Sequence, residues 1–354
     1  MHPADRRSPA SRDDVSAIAS LAKDRQILVV RARHLGDFNN ALGIASALAE
    51  RSNASVKVIE PVLRANVLIP LVRLTIALGR AARQRLAWQM AQVLFRGYAP
   101  DVENVACVVS TLGRGEPAGA LIAALHNTIS VHLGTPKRLP RRFFDVVIAH
   151  QGMAPLPGEI SLPISPTRQR LSRSPKDALV IALGGNAEGV KYEQEFWRRF
   201  IESSINLAMR ENLTPLATTS PRTSEAAARE LQEQWRARNL PNTDLQPYRP
   251  DSAAFSSLIS RARVFCVSAE SVSMISDGIA AGAKTVAAHW GELPKSDRIS
   301  HFIRTQVSAG RIGLWDIADG TMPSIGDIRP LEICWSEIFW GQLPKFVQYR
   351  LTAV

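Results

Sequence analysis

Short apolar runs recur along this chain, and the segments between them space apolar and polar positions as helices do. The runs "RQILVVRA" (25–32), "SVKVIEP" (55–61), "VACVVSTLG" (105–113), "TISVHLG" (128–134) and "FDVVIAH" (144–150) are continuous rather than alternating. Strands buried on both faces of a parallel sheet have that signature. Between the first two lies "HLGDFNNALGIASALAERSN", a helix opened by Gly36, Asp37 and Asn39. A Pro-rich stretch, "GMAPLPGEISLPISPTRQRLSRSPKD", then interrupts the alternation and marks a domain boundary. A second series follows: "ALVIALGG", helix 192–211, "LTPLATTS", helix 222–237, "TDLQPY", helix 251–261, "RVFCVSAES", helix 272–282 and "KTVAAH". The alternation predicts an α/β protein with two Rossmann-like lobes built on parallel sheets.

Length agrees, since 354 residues suit two domains better than one core. The expected division is a disordered leader over 1–24, a first lobe over 25–155, a linker over 156–176, a second lobe over 177–330 and a C-terminal helix over 331–354. The leader is polar and lacks the apolar core of a signal peptide. Cys107, Cys266 and Cys334 stand apart, each in an apolar run without metal-ligand spacing, and read as reduced core residues.

Charge adds an asymmetry. From Val62 to Arg142 eleven Lys or Arg face three acids, a local +8 of the chain's +11. Within it, "VLIPLVRLTIALGRAARQRLAWQMAQVLFRGY" interleaves arginines with large apolar residues at helical spacing. Such a helix pair either buries its apolar side in the core or lays it on an anionic lipid surface. The pI near 10.1 also raises nucleic acid, but no recognition motif or aromatic platform supports it.

Ligands of such lobes bind beyond the carboxyl ends of the strands. At the first end, His34 and Asp37 are candidate general bases, or else a surface loop residue and a helix cap. Gly36 and Asn39 accompany them. In "STLGRGEP", Arg114 and free amides offer an anion site or a plain turn. Gly184 and Gly185 allow close backbone approach to a phosphate or ribose, with Asn186 and Lys191 nearby. In "SAESVSMISDGIAAGAK", Ser271 or Ser273 can cap a helix, and Asp277 shares a helix face with Ser273.

In order along the chain, "GDFNNALGIASALAE", "VVSTLGRGEPAGALIAAL", "FDVVIAH", "ALVIALGGNAEGVKY", "TPLATTSPRTS" and "SAESVSMISDGIAAGAKTVA" resemble the ELM-type mitochondrial-fission family, whose bacterial branch is glycosyltransferase-like. The resemblance implies a GT-B fold with an interlobe cleft, and a C-terminal segment crossing back to the first lobe. It implies donor contacts from Gly184, Gly185, Asn186, Thr219, Ser220, Arg222, Ser271, Val272, Ser273 and Met274, with Asp277 on the ribose. Gly36, Asn39 and Arg114 would stand on the acceptor side. Glu270 departs from the family's usual Asp, Asp277 from its usual Glu, and "STLGRGEP" lacks a second arginine often found there. The expected activity is transfer of a sugar from a nucleotide-sugar donor to a cell-envelope lipid-linked or polysaccharide acceptor. It would proceed on the cytoplasmic face of the inner membrane, with no metal or cofactor and with Asp37 or His34 as base. The alternative is a non-catalytic membrane-associated adaptor.

Overall fold

A computed structural model describes residues 25–31, 34–80, 84–97, 104–151, 153–172, 174–187, 190–249, 254–293 and 295–353. The expected 1–24 leader lies outside the described residues. The chain divides into two compact units, one of residues 1–148 with 342–354, the other of residues 149–341.

The first unit is a five-stranded sheet in the order β2-β1-β5-β6-β7. Its strands are β1 (Gln26–Val30), β2 (Ser55–Ile59), β5 (Val105–Thr111), β6 (Ile129–Leu133) and β7 (Val146–Ile148), all paired in parallel. Helix α1 (Leu35–Ser52) follows β1 and packs on β1 and β5 through Ala41, Ile44, Ala45 and Leu48. That three-to-four spacing is what makes the segment helical. The basic stretch forms a short antiparallel pair, β3 (Val62–Leu63) with β4 (Phe95–Arg96), closing helices α2 (Ile69–Arg80) and α3 (Gln84–Leu94). Val72, Ile76, Ala87, Ala91 and Leu94 seat these helices against α4 (Gly115–Leu125).

The second unit is a six-stranded parallel sheet in the order β10-β9-β8-β11-β12-β13. These are β8 (Ala178–Leu183), β9 (Thr214–Thr219), β10 (Leu245–Gln246), β11 (Ala262–Ser268), β12 (Lys284–His289) and β13 (Ile312–Asp316). Its helices are α5 (Gln194–Arg210), α6 (Glu225–Ala237), α7 (Ala254–Ser260), α8 (Val272–Ala280), α9 (Asp297–Ser308) and α10 (Trp335–Gln342). Ser224 caps α6 by accepting a hydrogen bond from Ala227 N–H at 3.2 Å, and Ala227, Leu231 and Trp235 form its buried stripe. Helix α9 and strand β13 extend the series beyond "KTVAAH", where the sequence reading ends.

Two expectations change. The 156–176 stretch is laid on the second unit rather than strung free: Ser165 N–H donates to Ser276 Oγ at 3.1 Å, Gln306 Nε2 to Pro163 O at 3.0 Å and Lys176 Nζ to Ala281 O at 2.8 Å. The C-terminal segment is two helices, because Pro344 cannot donate in a helix interior. Helix α10 ends at Gln342, and α11 (Lys345–Thr352) belongs to the first unit, where it packs on α1. Arg25 Nη1 fixes its end by donating to Leu351 O at 3.0 Å and Ala353 O at 2.9 Å.

Cys107 and Cys266 are buried free thiols, and burial pushes the Cys266 thiol up to about 12. Cys334 is only half-buried.

Candidate functional site

In each unit the strand order reverses once. The first strand, β1 or β8, has its immediate successors on one side and, on the other, a strand reached by a longer crossover, β5 or β11. Helices leave the two strands on opposite sides at such a point, which opens a crevice at their carboxyl ends.

In the first unit, α1 and α4 both start at this edge. Their nearness is close: a Cβ on Gly115 would meet Val30 Cγ1 at 3.4 Å. The edge carries His34, Gly36 and Asn39, all exposed, with half-buried Asp37 in the first turn of α1 and exposed Arg114 at the N-cap position of α4. His34 holds the N-cap position of α1 without a side-chain cap bond, so the capping role open to Asp37 is not the one it has. Behind the edge sits Glu116, fully buried, whose carboxylate accepts from the N–H groups of Lys137 at 3.1 Å, Arg138 at 2.6 Å and Leu139 at 2.7 Å. This acid fixes the loop after β6.

In the second unit, the β8/β11 edge gathers most of the expected donor residues: Gly184, Gly185 and Asn186 after β8, Thr219, Ser220 and Arg222 after β9, and Ser271 to Asp277 after β11. The glycine pair, however, is explained from within. A Cβ on Gly184 would collide with the Glu270 carboxylate and Ser268 Oγ, and one on Gly185 with the backbone carbonyl of Arg222. Their amides are also engaged, Gly184 N–H by Ser268 Oγ at 3.0 Å and Gly185 N–H by Glu270 Oε1 at 2.8 Å. Both amides are therefore spent within the protein. Ser220 Oγ and Thr223 Oγ1 donate to Gly184 O at 3.0 and 2.7 Å, tying the ends of β8 and β9 together. Thr219 Oγ1 accepts from Tyr248 N–H at 2.9 Å, and exposed Asn186 Oδ1 from Tyr192 N–H at 3.4 Å.

The start of α8 is the open part of the edge. Ser271 stands at the N-cap position, yet its side chain makes no cap bond. Its hydroxyl instead accepts from Arg222 Nη2 at 3.3 Å, and that guanidinium also lies 3.7 Å from Glu270 Oε1. The amides of Val272, Ser273 and Met274 thus begin the helix without a side-chain cap, and half-buried Ser273 has no hydroxyl partner among the described residues. Such a helix start, with Arg222 at its rim, favours negative charge.

Two acids flank it. Glu270 is buried with its Oε2 unpartnered, and burial pushes its carboxyl up to about 7 against the pull of the Gly185 N–H and Arg222. The half-buried Asp277 accepts a hydrogen bond from the Thr167 hydroxyl, while Oδ2 has no partner among the described residues. Its enclosure pushes it up to about 7, against the Thr167 bond and nearby Arg168. Thr167 and Arg168 come from the stretch read as linker. Sequence reasoning missed both, together with Ser268, Thr223 and the bracing role of Glu270. Among the described residues no three or more His, Cys, Asp or Glu side chains stand together as a metal cluster.

The model of the family described as Mitochondrial fission ELM1 matches residues 36–331. No curated protein matches the chain. Among solved structures, the chain is similar to E. coli ADP-heptose LPS heptosyltransferase II, at 12% identity and a TM-score of 0.40, over 89% of this chain and 96% of that one. It is also similar to the UDP-GlcNAc 2-epimerase of Methanocaldococcus jannaschii, at 10% identity and a TM-score of 0.43, over 85% and 89%. For the UDP-GlcNAc 2-epimerase of Neisseria meningitidis, solved with UDP-GlcNAc, the values are 10%, 0.39, 93% and 94%. Likenesses this distant identify no activity.

Proposed function

The chain belongs to the mitochondrial fission ELM1 family, and from that premise we propose that it is a glycosyltransferase of GT-B type, its second unit holding a nucleotide-sugar donor at the β8/β11 edge. The observation that carries this reading is the start of α8: an uncapped helix turn beside Arg222 and Ser271, one turn from a carboxyl with an available oxygen. The amides of Val272 to Met274 and the Arg222 guanidinium hold the diphosphate and stabilise its charge as it leaves, which is the electrostatic work a metal does elsewhere. Asp277 Oδ2 accepts from the ribose, and Thr167 keeps the carboxyl oriented. Asp37, with His34 as the second candidate, takes the proton of the acceptor hydroxyl.

The acceptor class we propose is a lipid-linked or polysaccharide glycan of the cell envelope, met at the cytoplasmic face of the inner membrane. Helices α2 and α3 support a membrane contact because each is apolar on two sides. Outside the buried stripe, Leu71 and Leu74 on α2 and Leu86 and Val93 on α3 are exposed, Val93 by 70%. Exposed Arg64, Arg85 and Arg96 flank them, an arrangement that suits anionic headgroups over a shallow apolar layer. No described helix is long and apolar enough to cross a membrane. Of the arginines in this stretch, the Arg80 side chain and Arg83 lie outside the described residues. The same two-sided hairpin favours the second reading, a membrane-associated adaptor without catalysis.

Thermal-shift titration with UDP, GDP, ADP, CMP and their sugars tests the donor site. At least one nucleotide raises Tm in the native chain and not in Asp277→Ala; no shift from any of them sinks the transferase reading. Co-sedimentation with vesicles tests the membrane contact. Binding requires anionic lipid, weakens with salt and drops on replacing Arg64, Arg85 and Arg96 by Gln. Lipid binding without nucleotide binding leaves the adaptor.

A further inference from the structure

A cavity of about 750 Å³ opens beside the loop that follows β12. Strand β12 pairs with β11, so the cavity lies one strand further along the carboxyl edge from the start of α8. Everything lining it belongs to the second unit.

The chemistry of its wall is set by the two faces of α9. Ile299, Phe302, Ile303 and Gln306 are buried against the unit. Asp297, His301 and Arg304, at spacings of four and three, therefore share the outer face, which turns them to the cavity with Arg298 and the preceding Lys295. Three permanent cations thus stand against two acids, Glu292 and Asp297. Among the described residues neither acid forms an ion pair, and three cations against two acids leave the wall with an excess of one positive charge. Arg298 Nη1 lies 3.1 Å from His150 Nε2. An imidazole carries no negative charge, so this neighbour orients the Arg298 guanidinium and does not cancel its charge.

The volume is that of a small-molecule pocket, not of a single ion. We infer that this cavity binds a small molecule, of monosaccharide size or somewhat larger, through a phosphate or carboxylate that it carries. Arg298 and Arg304 present flat forks that grip either oxyanion with paired hydrogen bonds, and Lys295 adds a point charge from the loop. This site is distinct from the β8/β11 edge, so ligands can be chosen that report on each separately.

Calorimetric titration of the full chain with glucose 1-phosphate, glucuronate and glucose reads it directly. Saturable binding is expected for at least one of the two acids and not for glucose, and it weakens as salt is raised. Which acid binds tells phosphate from carboxylate. Lys295→Ala with Arg304→Ala lowers that affinity by about tenfold or more, while Lys295→Arg, which keeps both guanidinium forks, retains most of it. Urea denaturation of both variants shows that the fold is intact, and the nucleotide titration of the donor edge is unchanged in both. The inference is overturned if neither acid binds, if glucose binds equally well, or if the double alanine variant binds like the native chain.

Discussion

The two sheet edges are built on one plan, and a buried glutamate in each shows how differently they are finished. Glu116, behind the β1/β5 edge, has its carboxylate filled by three backbone N–H groups of one loop. Glu270, at the β8/β11 edge, accepts from a single backbone N–H, sees Arg222 only at 3.7 Å and leaves Oε2 unpartnered. A fully satisfied buried ion is structural, whereas a partly satisfied one is a place where a proton or a ligand completes the bonding. The first edge is braced from behind and offers its side chains outward. The second keeps titratable acids beside an open helix start.

The strongest way to break this contrast is to remove each acid. Glu116→Ala leaves three N–H groups without their acceptor and should cost about 3 kcal/mol or more in urea denaturation; a loss under about 1 kcal/mol would erase its structural role. Next come the glycines. Gly184→Ala meets the Glu270 carboxylate and Ser268 Oγ and should cost about 2 kcal/mol, while Gly36→Ala meets nothing within 4 Å and should stay within about 0.5 kcal/mol. Equal effects at both would contradict the difference in packing. The last test is in pH, where only part of the effect falls in the accessible range. The folded Glu270 carboxyl sits near 7 against an ordinary value near 4.5, so between those values the native state binds more protons than the unfolded chain. Its share of stability is fully present below about 4.5 and is lost as pH rises through about 7, a change on the order of 3 kcal/mol. Glu270→Gln keeps an acceptor for Gly185 N–H and should flatten that part of the stability profile; an unchanged slope would assign it to other groups, Asp277 first.

The contrast also explains what the sequence made legible. Strands such as "QILVV", "VACVVST", "ALVIAL" and "ARVFCVS" announce themselves because both faces are buried, and their alternation with helical spacing is enough for two parallel lobes. Helix α9 carried a readable stripe as well, in Ile299, Phe302 and Ile303, but "RIGLWD" has a glycine inside its apolar run and gives a weaker strand signal. The bracing acids give none. Glu116 and Glu270 are single acids in apolar surroundings whose partners lie 21 to 23 and 85 residues away. Gly184 and Gly185 misled for the same reason, since a glycine shows only that something comes close, and here it is the protein itself. Thr167 was hidden by composition: prolines make its segment look like a linker, yet side-chain hydrogen bonds at separations of 110 and 111 residues pin it to α8.

One measurement reaches the central claim, that the donor edge is at β8/β11 in the second unit. Backbone hydrogen exchange is followed with and without the nucleotide or nucleotide sugar selected by thermal shift. Slowed exchange is predicted at the amides of Val272 to Met274, with none at Gly36 to Phe38, and it disappears in Asp277→Ala. Protection at the start of α1 with the α8 amides unchanged would contradict the account.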